Sequence, residues 1–92
     1  MALVKVPGKN KGNIMLYALS TCVWCGKTKK LLDDLGVEYT YEYVDLLTGK
    51  DRDAAVKAIM AWNPASSFPT MVLNNEKCIV GFKEAEIRQA LA

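Results

Sequence analysis

The hydrophobic residues after the first 13 positions fall into seven segments with strand or helix periodicity. An uninterrupted apolar run at 14–19 predicts a strand that is buried on both faces of a sheet. Residues 37–45 place a tyrosine at every second position between Glu and Thr, which predicts a strand near a sheet edge with one packed and one wetter face. Two short β-rich runs, 70–73 and 77–80, flank an Asn-Asn pair and predict an antiparallel hairpin.

Helical periodicity is present in three further segments, namely 23–35, 51–62 and 83–91. Gly36 ends the first of them, and Ser20 and Thr21 before it are suited to cap its N-terminus. The apolar stripe of the second helix includes Met60. The resulting order of strands and helices, βαβαββα, predicts an α/β fold.

The length of 92 residues, of which 51% are hydrophobic, allows one domain with a single modest core. Residues 1–13 contain Pro7, two glycines and three lysines, a composition that is typical of a loose segment. We therefore expect a flexible N-terminal leader over residues 1–13 and a folded domain over residues 14–92.

Charge and hydropathy exclude two classes of partner. Twelve Lys and Arg residues against ten Asp and Glu residues give a net charge of +2, too small for the basic surface that nucleic-acid binding requires. The apolar run at 14–19 is far too short to span a bilayer. We expect a soluble, cytoplasmic monomer that binds neither nucleic acid nor membranes.

The most informative motif is Cys22-x-x-Cys25, which lies between the first strand and the first helix. Two thiols at this spacing can close a small disulfide ring, and the positive end of the helix dipole favours Cys22 as a thiolate. Helical phase places Cys25 beside the apolar stripe and Cys22 well away from it. The motif therefore predicts an exposed nucleophile and a sheltered partner.

Metal binding is the alternative for the same motif, because C-x-x-C is also common in zinc sites. A structural zinc ion requires four Cys or His ligands, but the chain offers only Cys78 besides the pair and has no histidine. We therefore predict no metal ligands within one chain. A zinc module, or an iron–sulfur cluster bridged between two chains through Cys22, is the competing interpretation from another class of protein.

Three motifs together resemble the glutaredoxin family of the thioredoxin superfamily over residues 14–91. They are C-x-x-C after the first strand, Phe-Pro-Thr at 68–70 before the third, and Val-Gly-Phe at 80–82 after the fourth. The resemblance implies a four-stranded mixed sheet with helices on both faces. It also implies a cis peptide bond before Pro69, which would present the backbone of Phe68 to an extended substrate segment.

The same resemblance implies a thiol–disulfide oxidoreductase that reduces protein disulfides by a dithiol mechanism. Cys22 attacks the substrate disulfide, Cys25 resolves the mixed disulfide, and no cofactor beyond this pair is required. For Trp24, helical phase alone favours packing against the core, whereas the resemblance places it at the rim of the substrate groove. The implied substrate-binding residues are Thr21, Val23, Trp24, Phe68, Pro69, Gly81 and Phe82.

The electron source divides the family, and this chain departs from the members that use glutathione. Those have a basic residue three positions before the first cysteine, Gly-Gly after the fourth strand and Asp at the start of the last helix. This chain has Leu19, Gly81-Phe82 and Lys83-Glu84 there. The Gly-Phe pair resembles the NrdH-redoxins, which thioredoxin reductase reduces and which supply electrons to ribonucleotide reductase. We expect a thioredoxin-reductase-like partner, with a glutathione-dependent glutaredoxin as the alternative.

Four further residues have competing interpretations. Cys78 lies in an apolar run and is interpreted as a small buried hydrophobe, with a regulatory thiol as the alternative. Lys27, Lys29 and Lys30 follow the cysteine pair. We interpret these lysines as a solvated helix face; alternatively, they stabilise the thiolate and attract acidic partners.

Overall fold

The computed structural model describes residues 3–91, which form five strands, three α-helices and one short 3₁₀ helix. In chain order the elements are β1 (Val4–Val6), β2 (Ile14–Ala18), α1 (Val23–Leu35), β3 (Tyr39–Tyr43), the 3₁₀ helix (Val44–Leu46), α2 (Gly49–Trp62), β4 (Thr70–Leu73), β5 (Lys77–Val80) and α3 (Glu84–Ala90). The seven elements predicted from the hydrophobic pattern are all present in the predicted order.

All five strands form one mixed sheet in the order β1-β3-β2-β4-β5. β2 and β3 are parallel, whereas the other three pairs are antiparallel. The parallel pair brings the C-terminal ends of β2 and β3 to one edge of the sheet, directly before α1 and the 3₁₀ helix. This edge therefore receives the cysteine motif.

The prediction of four strands was one short, because β1 pairs with β3 inside the segment expected to be a leader. Its three residues, Val4, Lys5 and Val6, lie opposite Tyr41, Thr40 and Tyr39. A three-residue strand leaves too short a pattern to detect in the sequence, and its pairing depends on the exposed edge that β3 offers. The division of the chain at residue 14 stays a prediction.

The core lies on both faces of the sheet, as the resemblance implied. One face packs against α1 and α3, with Leu16 and Met71 of the sheet in contact with Leu32 and Ile87. The other face packs against α2, where Ile59 joins a smaller buried cluster. Because successive residues of a strand point to opposite faces, β2 supplies side chains to both clusters.

Two predictions about individual side chains on this second face were wrong. Met60 is 51% exposed, since α2 buries the neighbouring Ile59 and Ala55 instead. Glu42 was expected on the wetter face of β3 but is buried, and it shares a cavity with Ala55 and Ala58 of α2. Burial and the nearby charge of Asp51 raise the pKa of Glu42.

Gly36 ends α1 as predicted, in a left-handed conformation with φ of 68° that few other residues adopt without strain. Asn74 and Asn75 are also left-handed and form the turn between β4 and β5. Within residues 3–91, none of the helices combines the length and the apolar character needed to cross a bilayer.

Candidate active site

Cys22 lies at the N-terminus of α1 and is itself the N-cap residue. Its Sγ accepts a hydrogen bond from the backbone N–H of Cys25 at 3.2 Å. The prediction that Ser20 and Thr21 cap this helix was therefore wrong, because the sulfur occupies the position of a capping oxygen. An N–H donor and the positive end of the helix dipole both stabilise negative charge on that sulfur.

Cys25 lies one turn further along α1 and is only 2% exposed, whereas Cys22 is half-buried. The predicted order of exposure is confirmed. Burial raises the pKa of Cys25 to about 12, with smaller contributions from its hydrogen bond to Cys22 and from the charges of Cys22 and Asp45. Cys25 is thus held as a neutral thiol that can donate to the Cys22 sulfur.

This difference predicts selective alkylation of the pair. With iodoacetamide at pH 8, we expect rapid modification of Cys22 and no modification of Cys25 in the folded, reduced protein, since only thiolates react and Cys25 remains protonated until the pH approaches 12. Peptide mapping by mass spectrometry measures both sites. Unfolding in guanidinium must make Cys25 reactive. Equal rates for the two cysteines in the folded protein at pH 8 would contradict the prediction.

The loop before β4 reaches the same end of the sheet and contains the cis peptide bond between Phe68 and Pro69, which confirms the conformation implied by the resemblance. Asn63 holds this loop, because its Nδ2 donates to both the carbonyl and the hydroxyl of Ser67 and to Thr70 Oγ1. Among residues 3–91 no hydrogen bond is made by the N–H or C=O of Phe68. These two backbone groups are therefore free to pair with another chain.

An open groove of about 280 Å³ lies beside the loop and is lined by five of the seven predicted substrate-binding residues, Trp24, Phe68, Pro69, Gly81 and Phe82. Trp24 is 55% exposed and stacks on Phe82, with ring centroids 6.0 Å apart, so it does not pack in the core. Val23 and Thr21 are exposed beside the cysteine pair but do not line this groove.

Gly81 sets the position of Phe82. Its φ of 86° is a conformation that residues with a Cβ rarely adopt, and its N–H donates to the carbonyl of Pro69 at 2.9 Å. The glycine therefore ties the end of β5 to the proline loop, and the following phenylalanine reaches Trp24. The sequence position of Gly81 indicated this turn, but the stacking of the two rings follows from the tertiary structure.

The three lysines after the pair differ in their contacts. Lys29 and Lys30 form (i, i+4) ion pairs with Asp33 and Asp34 on the surface of α1, as expected for a solvated helix face. Lys27 instead places its Nζ 4.5 Å from the centroid of the Trp24 ring. This cation–π contact adds positive charge to the rim of the groove.

Asp45 is a residue of the site that the sequence analysis missed. Its carboxylate accepts hydrogen bonds from the N–H of Ser20 at 2.8 Å and from the hydroxyl of Ser20 at 2.5 Å, and these bonds lower the pKa of Asp45. Ser20 follows β2 and Asp45 follows β3, two strands that are parallel. The predicted order of strands could have indicated the contact, because parallel neighbours end on the same side of a sheet.

Metal ligation is not supported by side-chain clustering in the part of the chain that the structure describes. Within residues 3–91, no three His, Cys, Asp or Glu side chains are grouped closely enough to hold an ion. Cys78 lies on β5, half-buried, and burial raises the pKa of its thiol. A cluster shared between two chains through Cys22 stays an untested alternative.

The family is decided by sequence comparison. The model of the glutaredoxin family matches residues 14–79, which include the cysteine pair, the proline loop and the first four predicted strands. This chain belongs to the glutaredoxin family. No curated protein matches the sequence significantly.

Solved glutaredoxin structures share the fold. The glutaredoxin from Methanosarcina mazei Go1 is 53% identical with a TM-score of 0.92, over 100% of this chain and 89% of that chain. Methanoredoxin from Methanosarcina acetivorans is 56% identical with a TM-score of 0.90, over 92% and 90% of the two chains. The NrdH-redoxin from Escherichia coli is 22% identical with a TM-score of 0.68, over 84% and 92%, which shows a common fold.

Proposed function

We propose that this glutaredoxin-family protein reduces disulfides of other proteins by a dithiol mechanism, with Cys22 as nucleophile and Cys25 as resolving cysteine. The unequal environment of the two thiols is the observation that supports this assignment. Cys22 is accessible and its sulfur accepts a hydrogen bond, whereas Cys25 is buried and protonated. Only the first can meet a large substrate, and only the second is close enough to finish the reaction.

In the first step the Cys22 thiolate attacks one sulfur of the substrate disulfide. A bond forms between Cys22 and that sulfur, the substrate disulfide breaks, and the second substrate sulfur leaves as a thiolate that takes up a proton. Cys22 then bears no negative charge, so its contribution to the high pKa of Cys25 disappears, although burial remains.

In the second step Cys25 loses its proton and attacks the Cys22 sulfur. The Cys22–Cys25 disulfide forms and the first substrate sulfur leaves as a thiol, so that two electrons have passed from the protein to the substrate. Proximity on one helical turn makes this step effectively intramolecular.

The substrate binds, in this proposal, as an extended segment beside the proline loop. The free N–H and C=O of Phe68 provide backbone hydrogen bonds, and the stacked rings of Trp24 and Phe82 provide an apolar wall. Such recognition depends little on the substrate sequence, as suits an enzyme that acts on disulfides.

For the electron source we propose a flavoprotein of the thioredoxin-reductase type, with ribonucleotide reductase as a candidate recipient in the cytoplasm. Two observations favour this over glutathione. Leu19, at the position where glutathione-using members have a basic residue, lines an apolar cavity. Phe82, at the position of their second glycine, fills its space by stacking on Trp24. A tripeptide with two carboxylates gains no ionic contact from either residue.

A donor assay tests this part of the proposal. The oxidised protein is offered NADPH with thioredoxin reductase, or NADPH with glutathione and glutathione reductase, and reduction of a protein disulfide is followed at 340 nm. We expect turnover with the first system and at most a tenth of that rate with the second. A faster reaction with glutathione would instead establish a glutathione-dependent glutaredoxin.

A further inference from the structure

Phe68 lines two separate cavities, of which the groove beside Trp24 is only one. The second has a volume of about 160 Å³, and its apolar walls come from α2, the 3₁₀ helix and the end of β2. We call it the aliphatic cavity and define it by Leu19, Val44, Val56, Ile59 and Phe68. Neither the dithiol mechanism nor the open groove uses it.

The aliphatic cavity has the size and chemistry of a side-chain pocket. An apolar cavity of about 150 Å³ in another protein is large enough to bind benzene, so this one can hold a ring or a branched aliphatic group. Its deepest wall, Ile59, is 1% exposed, and Val44 is also buried. A ligand that fills it exchanges water for apolar contact, which is favourable.

The cavity is continuous with the candidate active site. Leu19 accepts a backbone hydrogen bond from the N–H of Cys22 at 3.2 Å, so one wall is tied to the nucleophile itself. Phe68 forms another wall and also offers its free backbone groups to a substrate segment. A segment held at Phe68 with its cysteine at Cys22 therefore passes the mouth of the cavity.

Charge at the mouth of the cavity adds a second constraint. Arg52 and Asp45 both line it and are exposed. Asp45 already accepts two hydrogen bonds from Ser20, whereas within residues 3–91 the guanidinium of Arg52 forms no ion pair. The mouth therefore favours an anionic group on the ligand over a cationic one.

We propose that the aliphatic cavity selects substrates: it takes a large apolar side chain within two residues of the reacting cysteine, and Arg52 pairs with an acidic residue beside it. The occupant is an extended segment of a disulfide-bonded substrate protein. This inference rests on the proposed function and deepens it. Glutathione has no apolar side chain that could fill the cavity.

Peptides with a single cysteine test the preference. Each is prepared as a mixed disulfide with a chromogenic thiol, carries Leu or Ser at positions from −2 to +2, and is reduced by the prereduced protein. We expect kcat/KM to be about tenfold or more higher for Leu than for Ser at one of these positions, the size of discrimination that apolar pockets achieve. A Glu next to that Leu should raise kcat/KM further.

Three variants connect the preference to the cavity. Val56→Phe fills it and Val56→Gln makes it polar, so either should reduce the Leu-to-Ser ratio to near one. Arg52→Gln should remove only the gain from Glu. Met60→Gln is the matched control, since Met60 lies on the same helix, is exposed and does not line the cavity. It should keep the ratio of the unaltered protein.

The outcomes separate this inference from the proposed function. Equal kcat/KM for all Leu and Ser peptides, or a preference that persists in a folded Val56→Phe protein, overturns the inference while disulfide reduction itself stands. Failure to reduce any peptide or a small disulfide such as hydroxyethyl disulfide overturns the proposed function. The peptide comparison needs no variant, so it decides the question even if Val56→Gln does not fold.

Discussion

Cys22→Ser is expected to lower the rate of disulfide reduction about a thousandfold or more, to the rate without protein. A hydroxyl group cannot form a mixed disulfide with the substrate. Cys25 cannot replace the missing nucleophile, because it is 2% exposed and its pKa is raised to about 12. The variant should fold normally, since a serine hydroxyl is a better N-cap acceptor than sulfur.

The measurement is a single-turnover reaction between prereduced protein and a disulfide peptide, followed by release of the free peptide thiol. No external electron donor is present, so the result does not depend on the identity of the reductase. Cys78→Ser is the matched control and should keep the rate of the unaltered protein, because Cys78 lies on β5 away from the cysteine pair. Retention of more than a tenth of the rate by Cys22→Ser would refute the assignment of the nucleophile.

Cys25→Ser is expected to stop the reaction after its first half and to accumulate a covalent complex between Cys22 and the substrate. Cys22 keeps its exposure in this variant, and the Cys25 backbone N–H that its sulfur accepts is retained by serine. The first step therefore proceeds, but the hydroxyl at position 25 cannot attack the mixed disulfide. The complex should persist for hours in the absence of another thiol.

Non-reducing electrophoresis and mass spectrometry of the variant with a disulfide-bonded protein detect the complex. The experiment is done in a Cys78→Ser background, which removes the remaining thiol as an alternative resolving group or site of attachment. The double variant Cys22→Ser/Cys25→Ser must give no complex. Rapid release of reduced substrate by Cys25→Ser would show that Cys25 is not required for resolution.

Local sequence patterns were sufficient for most of the fold. The apolar run of β2, the tyrosine alternation of β3 and the Asn74-Asn75 turn each depend on neighbouring residues, so they were predicted from short windows. The same holds for the order of burial of Cys22 and Cys25, because helical phase alone decides which thiol faces the core.

The errors arose where distant segments meet. β1 exists because β3 presents an open edge to it, and Glu42 is buried because α2 covers its face of the sheet. Neither pairing leaves a mark in the residues concerned. The capping of α1 by Cys22 in place of Ser20 is a similar case, since Asp45 from the end of β3 accepts both hydrogen bonds of Ser20.

The sequence by itself determined the α/β order, the redox motif and the inequality of its two thiols, because these follow from periodicity and spacing within one element. Only the tertiary structure decided what surrounds the motif. Trp24 and Phe82 stack, Leu19 and Val56 enclose a cavity, and Phe68 separates the two spaces. These residues are far apart in the chain, and the packing of α2 and the proline loop on the sheet brings them together.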